Sequence, residues 1–324
     1  MSRAIRIHET GGPEVLRWED VEIGRPGAGE VRLRQTAVGL NYIDTYHRTG
    51  AYPAELPAVL GMEAAGVVEE VGPTVSEFQV GDRVAYGSGP LGAYAEERVM
   101  PVRSIVKLPD AVEDRQAAAL MLKGMTTRYL LRDAYEVERG DTILVHAAAG
   151  GVGLILCQWA KHLGATVIGT VGSDEKAALA QAHGCDHPIV HRRENFVERV
   201  RELTGGEGLP VVYDSVGRDT FTSSLECLRL RGTLVFFGQS SGPVPPFNLG
   251  ELGARGSLYV TRPSLMHYVA RRDELLANAA DLFDVVEKGV VKIQINQTYP
   301  LEEAAQAHRD LEARKTTGST VLTV

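Results

Sequence analysis

Cysteine is nearly absent from this chain of 324 residues: there are three, Cys157, Cys185 and Cys227. They are too widely spaced to form a paired framework, and no cluster among them can build a structural zinc site. Histidine is also scarce early on; before His146 only His8 and His47 occur, far apart in sequence. No stretch approaches the roughly 18 apolar residues of a membrane span. The opening "MSRAIRIHETGGPEVL" has no apolar core, so no signal peptide is expected. Unpaired cysteines with no leader make a reducing, cytoplasmic setting the expectation. A basic excess is missing too: 34 Lys and Arg face 42 Asp and Glu, for a net charge of −8. That excludes the overall footprint of a dedicated nucleic-acid binder, although "RVRELTGG" and "HRRENF" are local basic patches. What remains is ordinary for a globular enzyme, 44% hydrophobic and 23% charged, and long enough for two domains.

The first 120 or so residues carry short strand patterns, "EVRLRQTAVGL" (30–40), "AAGVVEEVG" (64–72) and "GDRVAYG" (81–87), bounded by Gly or Pro. They suggest a compact, barrel-like β domain. From Asp114, "DRQAAALMLKGMTTRYLLRDAY" is rich in helix formers and is expected to be interrupted at Gly124. From Thr142 strands alternate with helices of about a dozen residues. The strands are "TILVHAA", "TVIGTV", "PIVH", "PVVYDSV", "TLVFFG" and "SLYVTR"; the last helix between them is "DTFTSSLECLRLRG". Six strands with crossover helices predict a parallel, doubly wound α/β sheet, most commonly in the order 3-2-1-4-5-6. After Pro263 the pattern is helical and ends in the strand "STVLTV", expected to return to the first domain.

The sharpest chemical signal is "VHAAAGGVGLILCQWA". A strand runs into Ala148-x-Gly150-x-x-Gly153 and a helix follows at once. Positions without side chains let the backbone approach a pyrophosphate, whose charge then sits at the helix N-terminus. The alternative is a tight turn with no ligand, but the strand–loop–helix context favours a dinucleotide. NAD-binding units usually end the second strand in an acid that holds the ribose hydroxyls. Here "IGTVGSDEK" puts Gly172 and Ser173 there, with Lys176 one turn on, which leaves room and charge for a 2′-phosphate. NADPH is the expected cofactor; the other reading gives Asp174 the acid's role and leaves Lys176 solvated.

In "VLGMEAAGVVEEVG" Met62 stands where a metal-dependent dehydrogenase would offer a histidine. A thioether is a poor zinc ligand. His146 is expected to be a satisfied strand-end histidine and Cys157 a small core residue. Without a metal to polarise a carbonyl, hydride must go to an acceptor that spreads the charge over its own conjugation. Quinones and α,β-unsaturated carbonyls meet that demand.

With these residues in hand, the chain resembles the zinc-independent medium-chain dehydrogenases/reductases of the quinone oxidoreductase (zeta-crystallin-like) branch. The similarity is greatest to the bacterial NADPH:quinone reductases. It runs through "GGPEVL", "VGLNYIDTYHRTGAYP", "GMEAAGVVEEVG", "GDRVAY", "LKGMTTRYLL", "HAAAGGVG", "YDSVGRDTF" and "GSLYVTRPSL", essentially the whole chain. The resemblance implies a GroES-like β-rich catalytic domain from 1–126 and 263–324, a Rossmann domain from 127–262, and the cofactor in a cleft between them. Asn41, Tyr42, Ile43, Asp44 and Thr45 would line the nicotinamide side, with Thr126 and Tyr129 approaching from the interdomain helix. Gly151 and Val152 would meet the pyrophosphate, and Gly172, Ser173 and Lys176 the ribose phosphate. Ser215, Phe237, Gly238, Ser240, Val260, Arg262 and Arg314 would complete the site.

One departure concerns the third strand's end, where related bacterial enzymes often carry tyrosine and this chain has His191, followed by Arg192 and Arg193. His191 would keep a stacking face for the cofactor and add charge when protonated, or weaken the preference for NADPH, or be an exposed loop histidine. Tyr46 and Tyr52 are candidates to line the acceptor pocket, or are packing tyrosines. The activity implied is NADPH-dependent quinone reduction, by hydride transfer or by electron transfer that yields semiquinone; reduction of enones or alkenals is the alternative, and RNA binding a reading from another class. The strand 257–261, at the sheet edge with an apolar face, is expected to pair with its copy in a homodimer.

Overall fold

The computed structural model describes residues 2–324. One compact unit comprises the residues up to Met125 with Tyr268–Glu287 and Ile293–Val324. The other comprises Thr126–His267 with Lys288–Lys292.

The first unit is built on a seven-stranded sheet. Its order is Ile295–Pro300, Ser319–Thr323, Glu30–Leu40, Glu63–Val71, Arg83–Tyr86, Val106–Lys107, with Glu97–Pro101 also paired to Glu30–Leu40. The strand Ser319–Thr323 runs antiparallel to Glu30–Leu40, with Thr320 opposite Leu40, while Ser2–Ile7 pairs in a separate three-stranded sheet. Glu30–Leu40 buries alternate residues in its first half and every residue from Ala37 on, because its second half is covered on both faces. The second cover is the helix Asp114–Tyr129: a Cβ built on Gly39 would lie 2.1 Å from the Ala118 carbonyl oxygen, so only glycine lets the helix backbone come down on the strand. Ile5, Leu33, Leu60, Val84 and Leu322 fill the core beneath, each fully buried apolar side chain contributing about 1.5–3 kcal/mol.

The second unit is a six-stranded, wholly parallel sheet ordered His187–Val190, Thr166–Val171, Thr142–Val145, Leu209–Asp214, Leu228–Phe236, Tyr259–Thr261. In sequence order that is 3-2-1-4-5-6, the Rossmann arrangement. Its central strands are buried on both faces and read as continuous apolar runs, as crossover helices require. The helix Gly151–Leu163 starts at the glycine loop and stops at Gly164, whose φ of 92° is the left-handed cap that a Cβ would oppose. Cys157, on that helix, is a buried core residue as expected.

Two expected helices differ from the sequence reading, and the tail expected to be helical up to its last strand holds a further strand, Ile295–Pro300. The helix Asp114–Tyr129 passes through Gly124 without a break; the glycine is there because a Cβ would meet the Leu282 side chain at 2.5 Å. It is close packing rather than a helix stop. The helix expected over "DTFTSSLECLRLRG" covers only Phe221–Glu226, and the strand begins already at Leu228. Leu228 packs inward while Arg229 and Leu230 face solvent, and Arg231 takes a positive φ of 59° that a helix would not tolerate.

Candidate active site

In the first unit the sequence "NYIDTYHRTG" makes a short helix, Tyr42–Thr49, capped at Asn41 and ended by Gly50. Asn41, Asp44, Thr45 and Arg48 recur at helical spacing and all are buried, although three of the four are strongly polar. Buried polar groups need partners, and two networks supply them.

The first network is centred on Glu63, fully buried on the strand next to Met62. Its Oε2 accepts from the Asn41 amide Nδ2 at 2.7 Å and from the Lys123 ammonium at 2.8 Å. Its Oε1 accepts from the backbone N–H of Leu122 at 2.7 Å. The ion pair compensates both buried charges, and the carboxylate in turn fixes the amide of Asn41.

The second network runs from Asp44 to the protein surface. Asp44 Oδ2 accepts from the Asn41 N–H at 2.8 Å and from the Tyr94 hydroxyl at 2.8 Å. The Tyr94 oxygen lies 3.0 Å from His308 Nε2, and His308 Nδ1 lies 2.9 Å from the Arg48 guanidinium. Arg48, itself 1% exposed, closes the chain with two bonds to the half-buried Glu312, at 2.7 and 3.0 Å. Burial pushes the Asp44 carboxyl up to about 7, against its hydrogen bonds. Burial first, and then the Arg48 charge, push His308 down to about 3, so the imidazole is neutral.

On its other face the same helix collects aromatic rings. Tyr42 and Tyr46 have centroids 5.5 Å apart, and Tyr46 and Tyr52 5.1 Å, with Tyr52 N–H bonded to the Tyr46 carbonyl. Burial raises the Tyr42 phenol; Glu312 raises it further, while Arg314 and Arg48 lower it. Arg314 stands in the turn after the helix Ala304–Glu312 with φ 59°. The structure therefore gathers Asn41, Tyr42, Asp44, Thr45, Tyr46, Tyr52 and Arg314 around one helix.

In the second unit the glycine loop joins the first strand to its helix. Ala147 takes a φ of 53°, and Ala148 N–H bonds the Thr170 carbonyl of the next strand. A Cβ on Gly153 would sit 2.4 Å from the Ala147 carbonyl oxygen, so the turn can pass so close to the helix only with glycine there. Below it His146 is buried and satisfied, with Nδ1 2.9 Å from Thr170 Oγ1 and Nε2 2.9 Å from Ser224 Oγ. Ser224 donates in turn to Asp214 at 3.0 Å. Asp214 also accepts the N–H groups of Val216 and Gly217 and the Thr220 hydroxyl, which pins the loop beginning at Ser215.

At the second strand's end a Cβ on Gly172 would have only His191 Nε2 near it, at 3.7 Å. Ser173 caps the next helix, its oxygen accepting from the Lys176 N–H at 3.3 Å. Asp174 is paired with Arg193 at 2.7 Å, both exposed. On the far side, Gly238 packs against Ser215 (a Cβ would be 2.7 Å from the Ser215 oxygen), and Ser240 N–H bonds the Ser215 carbonyl. Phe237 N–H bonds the Asp214 carbonyl, and the Arg262 guanidinium lies 4.7 Å from the Phe236 ring centre. Ser215, Phe237, Gly238, Ser240 and Arg262 thus meet at the carboxyl ends of adjacent strands, with Val260 on the neighbouring edge strand. Thr126 and Tyr129 are buried in the same unit. The sequence reading missed Tyr94, His308, Arg48 and Lys123, which come from four distant segments, and the Arg193–Asp174 pair.

A GroES-like β-rich unit joined to a Rossmann sheet of this order is the architecture of the medium-chain dehydrogenases/reductases. The alcohol dehydrogenase GroES-like domain model matches residues 27–110, and the zinc-binding dehydrogenase model matches residues 151–282. The chain belongs to that family, within its quinone oxidoreductase branch. It is 56% identical to a quinone oxidoreductase of Pseudomonas aeruginosa, over 99% of each chain. It is 50% identical to a 2-haloacrylate reductase of a Burkholderia species, again over 99% of each. The solved Escherichia coli quinone oxidoreductase complexed with NADPH superimposes with a TM-score of 0.98 at 48% identity, covering 99% of this chain and all of that one.

The zinc in one family description does not fit the residues present. Among the described residues no three of His, Cys, Asp or Glu are grouped to hold a metal. Met62 is a buried thioether, and both oxygens of Glu63 are already engaged by three donors. No helix among the described residues is long and apolar enough to cross a membrane.

Proposed function

We propose that this chain is an NADPH-dependent quinone reductase. The observation that carries the cofactor reading is the loop Ala147–Gly153, a turn so tight that it excludes a Cβ at Gly153 and leaves the start of a helix open to a pyrophosphate. Gly150, Gly151, Val152 and Gly153 would hold that group. The second strand's end argues for NADPH over NADH. Gly172 leaves space there, and of the two acids in the first turn of the next helix Asp174 is paired with Arg193 while Glu175 bonds Ser173. Ser173, Lys176, His191 and Arg193 then face the 2′-phosphate with cationic and hydroxyl groups. The names of the relatives, quinone oxidoreductase above all, support the same reading.

When bound, the nicotinamide supplies a hydride. The chain's own part is to orient and to exclude water. Asn41, Tyr42, Ile43, Asp44 and Thr45 would form the nicotinamide side, and Thr126, Tyr129, Ser215, Phe237, Gly238, Ser240, Val260, Arg262 and Arg314 the rest of the site. The rings of Tyr46 and Tyr52, 5.1 Å apart, offer flat apolar faces to a quinone. A quinone takes the hydride without a cation because the product is a phenolate, a far weaker base than an alkoxide.

Reduction of α,β-unsaturated carbonyl compounds is the second reading, favoured by the likeness to a 2-haloacrylate reductase, whose substrate is also a conjugated alkene. An acceptor panel separates them. NADPH oxidation is expected with benzoquinone and naphthoquinone and not with alkenals or 2-haloacrylates; the reverse pattern replaces the first reading with the second. NADH is expected to be used several-fold less well. The edge strand Tyr259–Thr261, with Tyr259 61% exposed, would pair with a second copy, and sedimentation giving only a 35.1 kDa species at micromolar concentration would exclude that.

A further inference from the structure

The chain from Asp44 to Glu312 has a direction. A guanidinium only donates, so His308 Nδ1, facing Arg48, must accept. The neutral imidazole then carries its hydrogen on Nε2 and donates it to the Tyr94 oxygen. Tyr94 in turn has its own proton left for Asp44 Oδ2. Each bond fixes the next, and because a guanidinium does not release its proton, the chain orients and does not conduct. At its inner end, Asp44 Oδ1 is buried with no hydrogen-bond partner. An ionised carboxylate there would leave a charged oxygen unsolvated, while a protonated one leaves only a neutral group. Asp44 thus sits close to the balance between its two forms. The charged groups facing it are Lys123, from the helix Asp114–Tyr129, which favours the anion, and Glu63, from its strand, which opposes it. Tyr94 donates from the loop, and Arg48 and His308 act through Tyr94.

We propose that Arg48 and His308 are positioning residues for the reaction, which aim the Tyr94 hydroxyl at Asp44 and so set whether that carboxyl carries its proton during turnover. The assignment rests on the proposed reading of Asn41–Thr45 as the nicotinamide side of the site. No covalent step is involved: the carboxyl exchanges one proton with water as pH changes, and the hydrogen-bond chain sets the pH at which it does so.

The test uses the full-length protein and two readouts. The first is the infrared carboxylic C=O band between acid and alkaline pH, assigned to Asp44 by its loss in Asp44→Asn. Tyr94→Phe removes a donor to the anion and is expected to move the band's midpoint up by about one pH unit. His308→Leu is expected to move it the same way, and His308→Gln, which keeps an amide N–H toward Tyr94, to restore the parent midpoint. The second readout is the pH profile of kcat/KM for quinone reduction by NADPH, expected to shift in step with the band. A midpoint unmoved in Tyr94→Phe and His308→Leu overturns the proposal. So does a band that shifts while the pH profile stays fixed, an outcome that leaves the quinone reductase reading intact. If the parent protein reduces no quinone, that reading fails by itself, and the infrared arm still decides whether the chain sets Asp44.

Discussion

Asp44 and His308 should impose opposite pH dependences on stability that cancel in the parent protein. Asp44 moves from an ordinary 3.8 to about 7 on folding, so its contribution is present at low pH and is lost as pH rises towards 7. His308 moves from 6.5 to about 3, so its contribution is present above 6.5 and is lost as pH falls towards 3. Between about pH 4.5 and about pH 6.5, each changes stability by about 1.4 kcal/mol per pH unit, with opposite sign. Over that window either one alone amounts to about 3 kcal/mol. Asp44→Asn leaves the histidine slope unopposed, so this variant should gain about 3 kcal/mol relative to the parent as pH rises across the window. His308→Gln should lose about as much, and the double variant should run parallel to the parent. Urea unfolding at constant ionic strength measures this directly. The chain has two tryptophans, Trp18 and Trp159, in different units. Substituting Trp159 by Phe in every protein leaves Trp18 to report on the unit that holds both groups. If either single variant tracks the parent across the window, the two groups do not titrate as their burial requires and the reasoning fails.

Lys123→Met should strip the buried Glu63 of its counter-charge and cost about 3–5 kcal/mol by urea unfolding, most of it recovered when Glu63→Gln is added. Gly153→Ala forces a Cβ to within 2.4 Å of the Ala147 oxygen; NADPH affinity by fluorescence titration should fall more than tenfold, while the fold, followed by circular dichroism, survives. Arg193→Ala should leave the Asp174 charge uncompensated and lower the NADPH-over-NADH preference several-fold, measured as a ratio of kcat/KM.

Much of the second unit was legible in the sequence because its signals are local. A buried parallel strand is a short apolar run, a crossover helix carries its own Ser cap and Gly stop, and the glycine loop spans only a few residues. The strand order followed from the alternation of those elements. Local signals failed where packing overrode them. Gly124 looks like a break until Leu282, more than a hundred residues on, is seen against it. "LRLRG" looks like the end of a helix until Leu228 is seen paired with Leu209, with Arg229–Gly232 bulging from the ladder before Thr233 resumes it opposite Val211. In the first unit the Tyr42–Thr49 segment was recognised from its likeness to a family, not from its periodicity.

The amino-acid sequence by itself determined the two kinds of domain, the family, the dinucleotide loop and the poverty of metal ligands, since each is a matter of which residues stand within a few positions of one another. Only the tertiary structure decided what the polar residues do. Glu63 with Lys123, and Asp44 and Arg48 of one helix with Tyr94 and His308, are brought together from segments tens to hundreds of residues apart. Each is an ordinary surface type until burial removes its water. Desolvation depends on the whole surroundings of a group, so neither the shifted carboxyl nor the direction of its hydrogen bonds is written in any one stretch of chain.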